Sequence, residues 1–138
     1  MKICAIICEY NPFHNGHAYH IQEAKRLSNA DAILCIMSGN FVQRGEAAIF
    51  EKHLRAKHAV LAGADAVIEL PVLFSTSNAE LFAKGAVKIL SSIPEISHLC
   101  FGAENASVET FLTAARLMNN EPEDVSSAIK ELTAQGES

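Results

Sequence analysis

Four short apolar runs, residues 3–8, 32–37, 66–70 and 98–101, punctuate the chain, each continuously hydrophobic rather than alternating. A strand of this kind is buried on both faces, as in a parallel sheet covered by helices. The segments between the runs carry the helical period. Residues 17–28 place Ala18, Ile21 and Ala24 on one side, and residues 50–62 gather Phe50, Leu54, His58 and Leu61. Residues 78–90 align Ala79, Phe82, Ala83, Ala86, Val87 and Leu90, behind a capping box read in Ser77-Asn78-Ala79-Glu80. Ser107 is the expected cap of a fourth helix bearing Val108, Phe111, Leu112, Ala115 and Met118. A last helix is expected near Pro122, with Glu123 and Asp124 in its first turn and Gly136 as its C-cap. Alternating strands and helices with right-handed crossovers predict an α/β fold, a parallel sheet with helices on both faces.

A chain of 138 residues suits one domain spanning its whole length. The formal net charge of -5 argues against nucleic-acid binding driven by bulk charge. A local basic cluster remains in Lys52, Arg55, Lys57 and His58. No apolar run approaches the ~20 residues that cross a bilayer, so no membrane partner is expected. No signal peptide precedes the first strand. Cys4, Cys8, Cys35 and Cys100 all fall inside strand-like runs, the pattern of core thiols in a cytoplasmic protein.

The chemistry concentrates in Glu9-Tyr10-Asn11-Pro12-Phe13-His14-Asn15-Gly16-His17, which leaves the first strand and opens a helix. Ligands of open α/β sheets bind beyond the carboxyl ends of strands, and free amides at a helix start favour phosphate. Asn15 is the natural cap, and Gly16 removes a side chain where a ligand could approach the backbone. His14 and His17 can face one ligand, and as imidazolium donors they suit a departing pyrophosphate. Each charge-assisted bond supplies about 1.5–3 kcal/mol. A histidine near a turn is also often a surface or capping residue, so spacing alone leaves both readings open. Zinc held by His14, His17 and His20 lacks a carboxylate or cysteine at ligand spacing, so no protein-bound metal is expected.

Ser38-Gly39-Asn40 follows the second strand at the same end, where it could form an anion nest or contact a small acid. Gln43 and Arg44 add a donor and a fixed positive charge. The plainer alternative is a Gly-rich connection with a solvated Arg44. Lys52, Arg55 and Lys57 read as the wet face of a helix. Glu69, ending a buried strand, needs a backbone or arginine partner.

His14-Asn15-Gly16-His17 resembles the HxGH signature of nucleotidylyltransferases and class I aminoacyl-tRNA synthetases. Three longer stretches narrow the match: residues 9–17, Met37-Ser38-Gly39-Asn40-Phe41-Val42-Gln43-Arg44-Gly45-Glu46, and Gly63-Ala64-Asp65-Ala66-Val67-Ile68-Glu69-Leu70-Pro71. Together with Phe101-Gly102-Ala103-Glu104, they resemble the bacterial tRNA(Met) cytidine acetate ligase family. That resemblance implies a Rossmann-like HxGH nucleotidylyltransferase fold. It also implies a ligase that uses ATP, with Mg²⁺, to adenylate acetate. Such a ligase passes the acetyl group to N4 of the wobble cytidine of elongator tRNA(Met). By the same resemblance, Ile7-Cys8-Glu9-Tyr10-Asn11-Pro12-Phe13-His14-Asn15-Gly16-His17-Ala18-Tyr19-His20 hold ATP. His14 and His17 are then catalytic on its phosphates, and Gly102 lies against the nucleotide. Ser38, Gly39, Asn40, Gln43 and Arg44 are candidate substrate contacts.

One departure qualifies the match. The superfamily carries a second basic, Ser/Thr-rich motif after a fifth strand, and nothing after Gly102 supplies it; Arg116 and Lys130 fall in expected helices. The expectation is a truncated, N-terminal catalytic region that holds nucleotide yet fails to complete acetylation, with most tRNA contacts absent. A sheet edge left open would invite pairing with another copy, a homo-oligomer. Two rival functions stay open: a small-molecule nucleotidylyltransferase, and a non-catalytic module for nucleotide binding or assembly.

Overall fold

In a computed structural model, which describes residues 1–103 and 107–119, strands and helices alternate as expected. They are β1 (Ile3–Cys8), α1 (Asn15–Ser28), β2 (Ala32–Ser38), α2 (Lys52–Leu61), β3 (Ala66–Leu70), α3 (Val72–Ser75), α4 (Ala79–Leu90), β4 (Ile96–Cys100) and α5 (Val108–Asn119). The sheet has the order β3-β2-β1-β4 with every pair parallel. Cys8 pairs with Met37 and Ser38 with Leu70, so β1, β2 and β3 end side by side. The turns leaving β1 and β2 therefore share one edge of the sheet.

Met1–Gly102 forms one compact unit, and the described residues from Ala103 on belong to a second. In the first unit the two faces of the sheet have separate cores. Cys4, Ile6, Ile33 and Cys35 pack with Ile21 and Ala24 of α1 and Ala59 of α2. Ala5, Leu34 and Ile36 point the other way, against Phe82, Ala86 and Leu90 of α4. Alternate residues of one strand serve opposite faces, which is why β1, and β2 up to Met37, are apolar at every position. The expectation of burial on both faces fails for β3 and β4. These are edge strands beyond the full cover of the helices, and Leu99 is 45% exposed. β4 also starts earlier than expected, because Ile96 pairs with Ile3.

Two helical faces differ from the sequence reading. On α2 the buried residues are Arg55 and Ala59, while Phe50 is exposed and Leu61 is 74% exposed. Small side chains at positions 56, 59 and 62 let this helix lie close to the sheet, while the larger apolar Val60 and Leu61 stay outside. On α4 the inward stripe is Phe82, Gly85, Ala86 and Leu90, with Ala79, Ala83 and Val87 turned out. Its cap is Asn78, whose Oδ1 accepts from the Leu81 amide at 2.9 Å. Ser77 instead donates to the Leu73 carbonyl at 2.7 Å, closing the short α3 that the sequence did not reveal. The box read at Ser77 is therefore not formed.

In the second unit Ser107 caps α5 as expected, its Oγ accepting from the Thr110 amide at 3.2 Å. The helix expected near Pro122 and its cap at Gly136 lie outside the described residues. Cys4, Cys8, Cys35 and Cys100 are all free thiols. Among the described residues no helix is long and apolar enough to cross a membrane.

Gly85 shows how closely α4 is packed. A Cβ there would overlap Cβ and Cγ of Phe74, atoms next to the backbone that cannot swing aside. Alanine's better helix propensity, about 1 kcal/mol, is outweighed by that overlap. Gly85→Ala is expected to destabilise the chain by about 1–3 kcal/mol in urea denaturation. A stabilised variant would show that Phe74 can move away at little cost.

Candidate functional site

The chain reverses direction immediately after β1. Tyr10 adopts a left-handed backbone, φ 51°, held there by burial of its ring. That ring meets Phe13 edge-on at 4.9 Å and lies 4.8 Å from His17, while its hydroxyl shares a hydrogen bond with the Cys35 thiol at 3.6 Å. The Asn11–Pro12 peptide bond is cis. The cap of α1 is then His14, not Asn15. His14 Nδ1 accepts from the Gly16 amide at 3.1 Å, and His17 Nδ1 accepts from the His14 amide at 3.3 Å. Two imidazoles thus perform the reciprocal capping that Ser and Glu usually share.

This arrangement decides the chemistry of both rings. A neutral imidazole that accepts at Nδ1 carries its proton on Nε2. The rings stack with centroids 3.7 Å apart and planes 25° apart, so the two Nε2–H donors lie close together. A proton on Nδ1 would face a backbone N–H, donor against donor, and stacked cations would repel. Burial, reinforced by the neighbouring His14 and His20, pushes His17 below the ordinary imidazole range; burial does the same for His20. The amides at the helix start are also more occupied than expected. Gly16 N–H serves the His14 ring, and the His17 and Ala18 amides serve the His14 carbonyl. Gly16 gives that ring its room, since a Cβ there would sit 3.0 Å from His14 Cε1.

The second wall is the connection from β2 to α2. It contains a 3₁₀ turn, Gln43–Gly45, with Arg44 and Gly45 left-handed at φ 66° and 84°. Side chains from the first wall hold it in place. Glu9 Oε1 accepts from the Gln43 amide at 2.7 Å, and Asn11 Oδ1 accepts from the Ile49 amide at 2.7 Å. Between the walls lies a cavity of about 600 Å³, lined by Cys8, Glu9, His14, His17 and His20 on one side and Gln43, Arg44 and Glu46 on the other.

The structure sorts the predicted residues. Ile7, Cys8, Glu9, Tyr10, Asn11, Pro12, His14, His17, His20, Gln43 and Arg44 all line this cavity. Phe13 packs beneath it, partly buried in the core; Asn15, Gly16 and Tyr19 are exposed on α1, and Ala18 is half-buried. Gly102, exposed beyond the end of β4, does not line the cavity. Ser38 and Gly39 are buried away from it, and Asn40 is spent on capping, its Oδ1 accepting from the Lys52 amide at 2.9 Å. Val42 and Glu46 join the lining without having been expected.

Arg55 is the largest correction. Read as solvent-facing, it is 0% exposed, and its guanidinium reaches the carbonyls of Glu9, Ser38, Gly39 and Phe50. Ser38-Gly39 therefore presents carbonyls to a cation rather than amides to an anion. The sequence held one signal for this: Arg55, Ala59 and Ala62 fall on a single helical stripe. Glu69 finds Lys52 rather than an arginine or the backbone, with Nζ to Oε2 at 2.6 Å. Both side chains keep solvent contact, so the pair is worth about 0–1 kcal/mol. Among the described residues, no three His, Cys, Asp or Glu side chains come together to hold a metal ion.

The whole chain, residues 1–138, matches the HIGH Nucleotidyl Transferase family. The chain belongs to that family. Among its relatives, the tRNA(Met) cytidine acetate ligase of Acetivibrio thermocellus is 51% identical over 95% of this chain and 32% of its own length. That of Clostridium novyi is 46% identical over 99% of this chain and 34% of its own. The crystal structure of Thermotoga maritima TmcAL bound with alpha-thio ATP superposes with a TM-score of 0.91 at 40% identity, covering all of this chain and 33% of that one. The apo form gives 0.89. The Rossmann-like reading stands, and the chain spans about a third of the length of the relatives it matches.

A pH dependence follows from the two lowered histidines. In the unfolded chain imidazoles take up protons near pH 6.5, whereas His17 and His20 stay neutral in the fold to lower pH. The unfolded state then binds more protons, so stability falls as pH drops through about 6.5 and levels off below the folded values. Thermal melts from about pH 7.5 to 5.5 should show Tm declining, and declining less in a His17→Gln, His20→Gln double variant. An undiminished slope in that variant would assign the proton uptake elsewhere.

Proposed function

We propose that this chain is the ATP-binding, adenylate-forming part of a cytoplasmic tRNA(Met) cytidine acetate ligase. The reading is carried by the stacked His14–His17 pair, whose capping bonds leave both Nε2–H donors for the cavity. ATP would lie with its phosphates at this pair and its nucleoside along residues 7–12, with Gly102 beyond the end of β4. Gln43 and Arg44 on the opposite wall would orient the carboxylate of acetate. A carboxylate oxygen attacks the α-phosphorus, the bond to the bridging oxygen breaks, and pyrophosphate leaves with the electron pair. Charge grows on the leaving phosphates in that step, so bonds from His14 and His17 strengthen as it proceeds. Each such donor is worth a rate factor on the order of 10²–10³. N4 of the wobble cytidine of elongator tRNA(Met) would then take the acetyl group from the adenylate, releasing AMP, with most of the tRNA held by the other two thirds of the relatives' length.

Mg²⁺ does not fit as a protein-caged ion here. Glu9 and Glu46 are the carboxylates lining the cavity, and Glu9 Oε1 is engaged by the Gln43 amide. An ion accompanying ATP would take its ligands from phosphates and water.

Titration calorimetry with ATP should give saturable binding to the wild-type chain. His17→Ala should weaken it by about tenfold or more, and His20→Ala far less, in line with loss of one bond to a charged group. Absence of heat with wild type would remove the nucleotide reading. Pyrophosphate exchange stimulated by acetate supports the ligase. Exchange stimulated instead by a phosphorylated acceptor would move the assignment to a small-molecule nucleotidylyltransferase, and binding without exchange to a nucleotide-binding module.

A further inference from the structure

Arg55 neither lines the cavity nor forms an ion pair among the described residues, yet every N–H of its guanidinium is used. Nε donates to the Phe50 carbonyl at 3.0 Å; one terminal nitrogen donates to the Glu9 carbonyl and, at 3.5 Å, to Ser38 Oγ; the other donates to the Ser38 carbonyl at 3.1 Å and to the Gly39 carbonyl. Those acceptors belong to three separate segments: the first residue after β1, the end of β2, and the residues just before α2. We infer that Arg55 is the positioning residue of the site, a buried fork that sets the distance between the two walls of the cavity.

The geometry gives three reasons. First, apart from Ser38 Oγ, the partners are backbone carbonyls, whose positions are those of the chain segments themselves. A carboxylate partner would only neutralise the charge, whereas carbonyls from three segments are held in register. Second, the clamp extends to both walls through Glu9. Its carbonyl is held by Arg55 and its carboxylate holds the Gln43 amide, so the approach to His14 and the turn bearing Arg44 are fixed from one point. Third, the planar five-donor fork has no substitute in lysine, whose three donors radiate from one nitrogen. With lysine, carbonyls now satisfied would be left buried and unpaired.

The functional meaning of the clamp rests on the nucleotide reading, but its mechanics can be measured separately. Arg55→Lys is compared with Phe82→Leu, which thins the core on the α4 face and touches no part of the clamp. Both should lower Tm. Arg55→Lys should speed amide exchange at Gln43 and Ile49 by about tenfold or more and weaken ATP binding by a similar factor. Phe82→Leu should leave both within about twofold at an equal or larger loss of Tm. Unchanged exchange at those two amides in Arg55→Lys overturns the inference, as does an equal effect of Phe82→Leu. Wild type that binds no ATP defeats the proposed function, while the exchange comparison still decides the clamp. Should the lysine variant fail to fold, Arg55→Met, which buries no charge in the same channel, is put through the same comparison.

Discussion

The parallel pairing of β1 with β2 is the constraint from which the rest follows. Its register, Cys8 beside Met37, brings two turns to the same edge of the sheet, although they are separated by a helix in sequence. Once these turns are adjacent, Glu9 can accept from Gln43, Asn11 from Ile49, and Arg55 can join both from beneath. A shift of one residue would exchange the two faces of each strand and separate every one of these contacts. The two cores enforce the register by packing: Ala5 and Ile36 fill one and Cys4 and Ile33 the other, and a slip would put each side chain into space shaped for a different one.

Within that frame, the site economises on residues. Capping consumes one nitrogen of each imidazole, and the other is left for a ligand. On the proposed reading, cap and ligand site, alternatives on spacing alone, are two edges of the same rings. The same holds for Glu9, whose backbone and carboxylate each tie a different segment. Such double use adds to the burial of Tyr10 and Phe13 in giving the segment a defined shape.

The strands, their order of succession and the α/β class were legible because they depend on local hydrophobic patterns repeated along the chain. The site segment was legible because Gly16 and the paired histidines break that pattern at a strand-to-helix boundary. Other features depended on neighbours distant in sequence. Only the small residues sharing its helical stripe distinguish Arg55 from Lys57 locally; its burial reflects carbonyls arriving from β1 and β2. Ser77 and Asn78 are both good caps, and the choice was made by α3, a single turn too short to show periodicity. Ser38 and Gly39 suggested an anion nest by composition, but backbone direction turned their carbonyls inward. The burial of edge strands was overestimated because a run of apolar residues does not tell how many helices reach it.

The doubly bonded imidazoles carry one further implication. An oxygen anion that accepts from Nε2 draws electron density through the ring from that side, and the backbone N–H on Nδ1 responds in the same chain of dipoles. Anion, ring and first helical turn then form a polarised relay in which each link firms up the next. An occupied site would thus stiffen the start of α1, and a helix start held in its capped form would spare an incoming anion part of the ordering entropy.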